Sequence, residues 1–150
     1  MNCLLINEFS NRFFQQVFKE YFKELEMEVH DWDELFVSMN SQGGNLAYLL
    51  FNNDECIGFI QFRVEQTEHW FITEKFGFIR EFWIRPADRN NGFGKTLLKK
   101  AEDYFIEQGV LKALLTTDTA VSFYVKNGYK EAKSYKALNN DSVYLKDLDS

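Results

Sequence analysis

A short run, Arg89-Asn90-Asn91-Gly92-Phe93-Gly94-Lys95, follows an apolar strand pattern that ends at Pro86 and opens an amphipathic helical pattern. A strand that feeds a glycine-containing turn and then a helix leaves the first backbone N–H groups of that helix unpaired and facing outward, with the positive end of the helix dipole behind them. An anion is the natural partner of such a turn. Gly92 and Gly94 let the backbone turn tightly and approach a ligand with no Cβ in the way, while Arg89 and Lys95 add positive charge at either end. The run reads as a phosphate cradle in an α/β chain.

Spacing speaks against two common phosphate loops. A Walker A loop needs a glycine five residues before the Gly of Gly-Lys-Thr; Gly94-Lys95-Thr96 fits the end, but Arg89 stands at the required glycine. A dinucleotide fingerprint needs Gly-x-Gly-x-x-Gly, and Leu97 replaces the third glycine, which would pack the helix closely on the strand.

The length of 150 residues, 45% of them apolar, suits one α/β domain with a real core. A net charge of −6 and a pI near 5.0 argue against general nucleic-acid binding and favour a cationic substrate. Against that background Arg80, Arg85, Arg89, Lys95, Lys99 and Lys100 outnumber Glu81 and Asp88 between positions 80 and 100, so the cradle is a basic island in an acidic chain. Cys3 and Cys56 are too few for a disulfide framework, and no Cys/His cluster has metal-ligand spacing, so no metal and a reducing compartment are expected. His30 and His69 are isolated and read as surface or packing residues. The N-terminal residues lack a basic start, and nowhere do eighteen apolar residues run together; the expectation is a soluble cytoplasmic protein with no membrane segment.

Along the chain, Cys3 to Phe9 reads as a first strand and Ser10 as the N-cap of a helix. In that helix Phe13, Phe14, Val17, Phe18, Tyr21, Phe22 and Leu25 form one apolar stripe, read as core. A second helix starts at Asp31, with Glu34 three residues on, and stops at Gly43-Gly44. Leu46–Phe51 and Cys56–Val64 form a hairpin through Asn52-Asn53-Asp54-Glu55. The pattern leaves Thr67 to Phe76 open between an extension of that hairpin and a loop. Phe78–Ile84 is the next strand; a helix runs from about Gly94 to Gln108 and ends at Gly109. Ala113–Thr116 is a buried strand, Thr119–Asn127 a short helix closed by Gly128, and Ser142–Leu148 a final alternating strand. The order β-α-α-β-β-β-α-β-α-β implies a mixed sheet with helices on both faces.

The loop fits the signature Arg/Gln-x-x-Gly-x-Gly/Ala through Arg89, Gly92 and Gly94, and so resembles the acyl-CoA loop of the GCN5-related N-acetyltransferases. Two further stretches carry the resemblance. Ile79-Arg80-Glu81-Phe82-Trp83-Ile84-Arg85-Pro86 is similar to that family's fourth strand, and Phe123-Tyr124-Val125-Lys126-Asn127-Gly128-Tyr129 to its late Phe-Tyr-x-x-x-Gly-aromatic motif. Together they span Gly77 to Tyr129; the N-terminal half matches in element order only. The resemblance implies a mixed, mostly antiparallel sheet of about six to seven strands flanked by about four helices. It implies acetyl-CoA as acyl donor, with Phe82, Trp83 and Ile84 pairing with the pantetheine arm through backbone groups. The N–H groups of Asn90, Asn91, Gly92, Phe93, Gly94, Lys95 and Thr96 would then hold the pyrophosphate, as the helix-terminus argument also requires. The thioester would lie where the fourth and fifth strands splay, with direct transfer to a primary amine in a ternary complex.

Aminolysis of a thioester needs a neutral amine, so a proton acceptor must stand near it directly or through water. Glu81, three residues before Ile84 and where several relatives place an acid, is the candidate base; pairing with Arg80 or Arg85, or holding the substrate ammonium, are its other readings. The leaving thiolate needs a proton or hydrogen bond, and Tyr124 matches the family's usual acid, with a packing role as the alternative. One departure stands out: where the family often carries Asn seven residues before that tyrosine, this chain has Thr117, which cannot offer both an amide donor and a carbonyl.

The acceptor is a small-molecule amine or a protein amine. A dimer is common in such families, and sixteen Phe leave room for an apolar patch beyond the core, so a homodimer is a further expectation. Two other readings exist: a non-catalytic acyl-CoA-binding sensor on the same fold, and a small P-loop nucleotide hydrolase that would use Ala113–Asp118 as its metal-binding strand.

Overall fold

The computed structural model describes residues 2–149. Its elements are strands β1 (Asn2–Ile6), β2 (Leu46–Asn52), β3 (Glu55–His69), β4 (Ile72–Ile84), β5 (Lys112–Thr116), β6 (Lys130–Glu131) and β7 (Val143–Asp147), with helices α1 (Arg12–Glu24), α2 (Trp32–Gln42), α3 (Phe93–Glu107) and α4 (Val121–Lys126). A 3₁₀ turn, Pro86–Asp88, separates β4 from α3. The strands pair in the order β1-β2-β3-β4-β5-β7-β6; β1–β2, β2–β3, β5–β7 and β6–β7 are antiparallel and β4–β5 is parallel. A parallel step needs a long crossover, and α3 supplies it. The mixed, mostly antiparallel α/β sheet expected from the sequence is therefore the architecture found, and its antiparallel majority removes the P-loop reading, which needs a parallel sheet.

The chain packs as two compact units, one containing the residues up to Phe62 with Glu81–Ala101, the other Arg63–Arg80 with the residues from Glu102 onward. In the first, the stripe of α1 from Phe13 to Phe22 packs into the core as expected, while Leu25, read as part of it, caps the helix and is exposed. Phe14, Val17 and Phe18 are buried with Phe36 and Met39 of α2 against Ala47 and Leu49 of β2 and Phe59 of β3. Side chains alternate across a strand, so Tyr48, between Ala47 and Leu49, faces the other way; it stacks on Phe62 and lies under the Lys100 ammonium of α3. Helices thus cover both faces here. The β2–β3 turn is tighter than the sequence suggested. Asn53 and Asp54 both have positive φ (51° and 65°), as a two-residue primed turn demands, and Asn52 pairs directly with Glu55.

The N-cap of α1 is Asn11, not Ser10. Its side chain accepts from the N–H groups of Phe13 and Phe14 at 2.9 and 3.1 Å. Asp31 caps α2 by accepting from Glu34 N–H at 3.1 Å, and Gly43 ends that helix at φ 71°, both as read from sequence. Gly58 is the tight point of this unit. A Cβ there would meet the Trp83 carbonyl oxygen at 2.6 Å and Ile84 Cδ1 at 2.7 Å, so β3 and the end of β4 come together only because position 58 has no side chain. Gly58→Ala is expected to cost about 1–3 kcal/mol through overpacking, seen as a lower melting temperature; an unchanged melt would show that the two strands can part freely.

In the second unit β5 runs between β4, with Gly77 opposite Ala113 and Phe78 opposite Leu114, and β7, with Leu114 opposite Leu145. Phe105 of α3 is fully buried above Gly77, where an added Cβ would meet its ring at 2.7 Å. The segment from Thr67 to Phe76 resolves as an extension of the hairpin: β3 continues to His69, Trp70 turns at φ 58°, and β4 begins at Ile72. Trp70 and Phe71 project into solvent at its tip. Strand β6 has two residues, too few to show a period in sequence. No helix among the described residues is long and apolar enough to cross a membrane.

Candidate active site

The turn from Pro86 to Gly92 is built by local backbone chemistry, and Gly94, expected in that turn, is the second residue of α3. Pro86 opens the 3₁₀ turn at a position that needs no N–H, and Arg85 before it is held extended at ψ 134°. Asp88 N–H then closes on the Arg85 carbonyl at 2.9 Å, and the Asn91 amide reaches back to the carbonyls of Asp88 and Arg89 at 3.2 and 3.3 Å. Asn90 and Gly92 take positive φ (66° and 80°), which swings the chain into α3.

Gly92 is the N-cap, because its carbonyl accepts the first helical bond, from Thr96 N–H at 3.1 Å. The Thr96 hydroxyl donates to the same carbonyl. The usual caps satisfy the first helical N–H groups with a side-chain oxygen; glycine has none. Gly92 therefore gives the N–H groups that open α3 no side-chain acceptor of its own. A Cβ built on Gly92 would meet nothing within 4 Å, so the mouth of the turn is open. Asn90, Asn91, Gly92 and Lys95 are exposed, and Phe93, Gly94 and Thr96 partly so.

The charge around the cradle differs from the sequence picture. The Arg89 guanidinium turns to α1, donating to both Glu24 carboxylate oxygens at 3.0 and 2.5 Å, and its Nε donates to the Ile84 carbonyl at 2.9 Å. Arg85 pairs with Glu20 at 3.2 Å and with Glu55. Arg85 and Arg89 of the basic island thus have carboxylate partners on α1 and β3, because that helix ends beside the loop.

Glu81, on β4, accepts a hydrogen bond from the Tyr21 phenol of α1. Of the partners weighed from sequence, Arg80 and Arg85, Arg85 is engaged instead with Glu20 and Glu55. Tyr21 was assigned to the apolar stripe; its ring does pack on Phe18 and Phe59, while its hydroxyl reaches the carboxylate. Phe82 is half-buried, and Trp83 and Ile84 are buried. The Trp83 indole N–H donates to Glu24 at 2.6 Å. Together Arg89 and Trp83 hold the Glu24 carboxyl below the ordinary carboxylate range. Sequence inspection missed Glu20, Tyr21 and Glu24 as a set. Their spacing of i, i+1 and i+4 does place them on one side of α1, and that is the signal that could have found them.

In the second unit Tyr124 lies on α4, buried, with its ring edge-on to Phe123 and Tyr129. Thr117 accepts a hydrogen bond from Ala120 N–H at 3.1 Å, so the residue that departs from the family pattern shapes the entry to α4. Tyr129, whose N–H bonds the Tyr124 carbonyl at 3.0 Å, donates its hydroxyl to the buried Glu102 at 2.8 Å; Lys146 completes the cluster at 2.9 Å. Burial and the adjacent carboxylate raise the Tyr129 phenol far above its ordinary range and keep it a donor.

Burial pushes the Cys56 thiol up to about 11 and raises Cys3 as well, so both stay protonated near neutral pH. His30 and His69 are exposed. Among the described residues no group of three or more His, Cys, Asp or Glu is placed to hold a metal ion.

Residues 5–129 match the family model described as Acetyltransferase (GNAT) family. No curated protein matches the chain by sequence at a significant level. Among solved structures, the chain is similar to a predicted acetyltransferase with acetyl-CoA from Clostridium acetobutylicum, with a TM-score of 0.75 and 16% identity over 92% of this chain and 95% of the other. It is also similar to the PaiA N-acetyltransferase of Thermoplasma acidophilum in complex with coenzyme A (TM-score 0.69, 20% identity, 98% and 99% covered). An aminoglycoside 6'-N-acetyltransferase complexed with coenzyme A gives a TM-score of 0.73 at 17% identity, with 100% and 98% covered.

Proposed function

This chain belongs to the GNAT acetyltransferase family, and on that premise we propose that it transfers an acetyl group from acetyl-CoA to a primary amine, directly and without a covalent enzyme intermediate. The observation that carries the proposal is the glycine N-cap of α3, which gives the first helix N–H groups no side-chain acceptor of its own and so suits them to a phosphate at the end of β4. The N–H groups from Asn90 to Lys95 hold the pyrophosphate, with Lys95 adding positive charge beside it; the Thr96 N–H, expected among them from sequence, is instead spent on the Gly92 carbonyl inside the helix. The backbone of Phe82 and the N–H of Ile84 pair with the pantetheine arm; the Ile84 carbonyl is taken by Arg89. Coenzyme A or acetyl-CoA in the three similar structures supports this donor.

In the reaction the amine nitrogen bonds to the acetyl carbonyl carbon, the carbon–sulfur bond breaks, and the electron pair leaves on sulfur. Glu81 accepts the proton that the amine must lose, directly or through a water, while the Tyr21 phenol holds the carboxylate in one orientation. Tyr124 gives a proton or hydrogen bond to the leaving thiolate. The protonated states of Cys3 and Cys56 favour direct transfer over an acyl-cysteine relay. The acidic chain favours a cationic acceptor, such as a polyamine, an aminoglycoside or a basic peptide.

The test is thiol release from acetyl-CoA by the purified protein across a panel of such amines, with the amide product identified by mass. Acetyl-CoA binding without release for any acceptor class would count against turnover and favour a sensor. With an accepted amine in hand, Tyr124→Phe is expected to lower kcat by about 10²-fold or more with acetyl-CoA affinity kept. Full turnover in that variant would remove Tyr124 from the chemistry.

A further inference from the structure

The signature arginine of the cradle does not face the cradle. Each of its three nitrogens makes a hydrogen bond, Nε to the Ile84 carbonyl and the two terminal nitrogens to the Glu24 carboxylate. The Ile84 bond locates the clamp on the strand. Arg85 N–H donates to the Ile57 carbonyl of β3 at 2.7 Å, and across a trans peptide the preceding carbonyl points the opposite way, so Ile84 O faces away from β3 and is met there by Arg89. Glu24 is the last residue of α1, where the negative end of the helix disfavours a carboxylate. Donation by Arg89 and by the Trp83 indole offsets that cost and fixes the acid in place. A guanidinium engaged as a two-pronged fork has a defined orientation that a move to a phosphate would forfeit.

We propose that Arg89 serves acetyl-CoA as a positioning residue: it clamps the start of the cradle to Glu24 of α1 and to the end of β4, and it makes no contact with the phosphates. Glu24 and Trp83 are the partners that hold the clamp. The cradle is thereby set before the ligand arrives, which raises affinity by reducing the ordering cost of binding. The inference rests on the acetyl-CoA reading of the cradle.

The sign of one substitution separates the clamp from direct contact. If Arg89 touched the phosphates, Glu24→Gln would release it from a competing carboxylate and tighten acetyl-CoA binding. The clamp requires the reverse: Glu24→Gln weakens binding by about threefold to fivefold, the scale of a half-exposed ion pair, and lowers the melting temperature of the ligand-free protein. Glu28→Gln, which removes the same charge from an exposed position four residues on, should leave the dissociation constant unchanged. The exchange Glu24→Arg with Arg89→Glu should recover most of the affinity lost in Arg89→Glu alone. Binding in Glu24→Gln equal to or tighter than in the unaltered chain, or an exchange no better than Arg89→Glu, would overturn the proposal. Absence of acetyl-CoA binding by the unaltered chain would instead refute the cofactor reading; the clamp is then judged by the ligand-free melts, which the exchange must restore.

Discussion

Gly92→Glu is expected to abolish measurable acetyl-CoA binding while the protein stays folded. The carboxylate would stand at the N-cap of α3, where it can accept from the same N–H groups that a pyrophosphate needs, and where the helix dipole stabilises it. Each charge-assisted hydrogen bond lost to the ligand contributes about 1.5–3 kcal/mol, so forfeiting two or more corresponds to at least about a hundredfold in the dissociation constant. The added side chain has room, since nothing lies within 4 Å of the Cβ position, although φ 80° strains any residue but glycine. Gly92→Ala carries the strain without the charge and is expected to fall between the two. Calorimetric titration with acetyl-CoA, beside a thermal melt, reads both quantities. Wild-type affinity in the glutamate variant would place the phosphate elsewhere.

Glu81→Gln should have the largest effect on turnover, a loss of about 10²–10⁴-fold in kcat, the usual range for removing a general base. Glutamine keeps the shape and still offers a carbonyl to the Tyr21 hydroxyl, so the local packing is preserved while the proton acceptor is gone. Acetyl-CoA affinity should therefore hold. That combination, turnover lost with binding kept, is what distinguishes a chemical role from a structural one. An unchanged rate and pH profile would remove Glu81 from the proton path and leave the Tyr21 bond as a purely structural tie.

Most of the fold was legible because its signals are local. Capping and termination at Asp31 and Gly43 and the apolar stripe from Phe13 to Phe22 of α1 depend on neighbours within a turn or two, and the structure reproduces them. Where local evidence ran out, so did the reading. Ser10 and Asn11 are both good caps, and the choice fell to Asn11 as the chain was placed by other bonds, such as Phe9 N–H to the Asn40 side chain at 2.7 Å. The Trp70 turn has no Gly or Asn-Gly signal, so the long β3–β4 hairpin could not be told from a loop.

The candidate site divides in the same way. Sequence alone determined that a turn after Pro86 passes through Gly92 into a helix; the positive φ of Asn90 was not read from it, and Gly94, read as part of the tight turn, lies inside α3. Such a turn and helix start are properties of bonds and sterics within about ten residues, and residue types specify them directly. The partners of the side chains were decided only by tertiary structure. Arg89 finds Glu24 at a separation of 65 residues, Trp83 finds the same acid across 59, and Tyr21 reaches Glu81 across 60. A long charged or polar side chain can swing to either of two partners, and which one it takes depends on where a distant helix is packed. Here the burial of Phe14, Val17 and Phe18 against β2 and β3 sets α1 in place, and the polar residues at its C-terminal end follow.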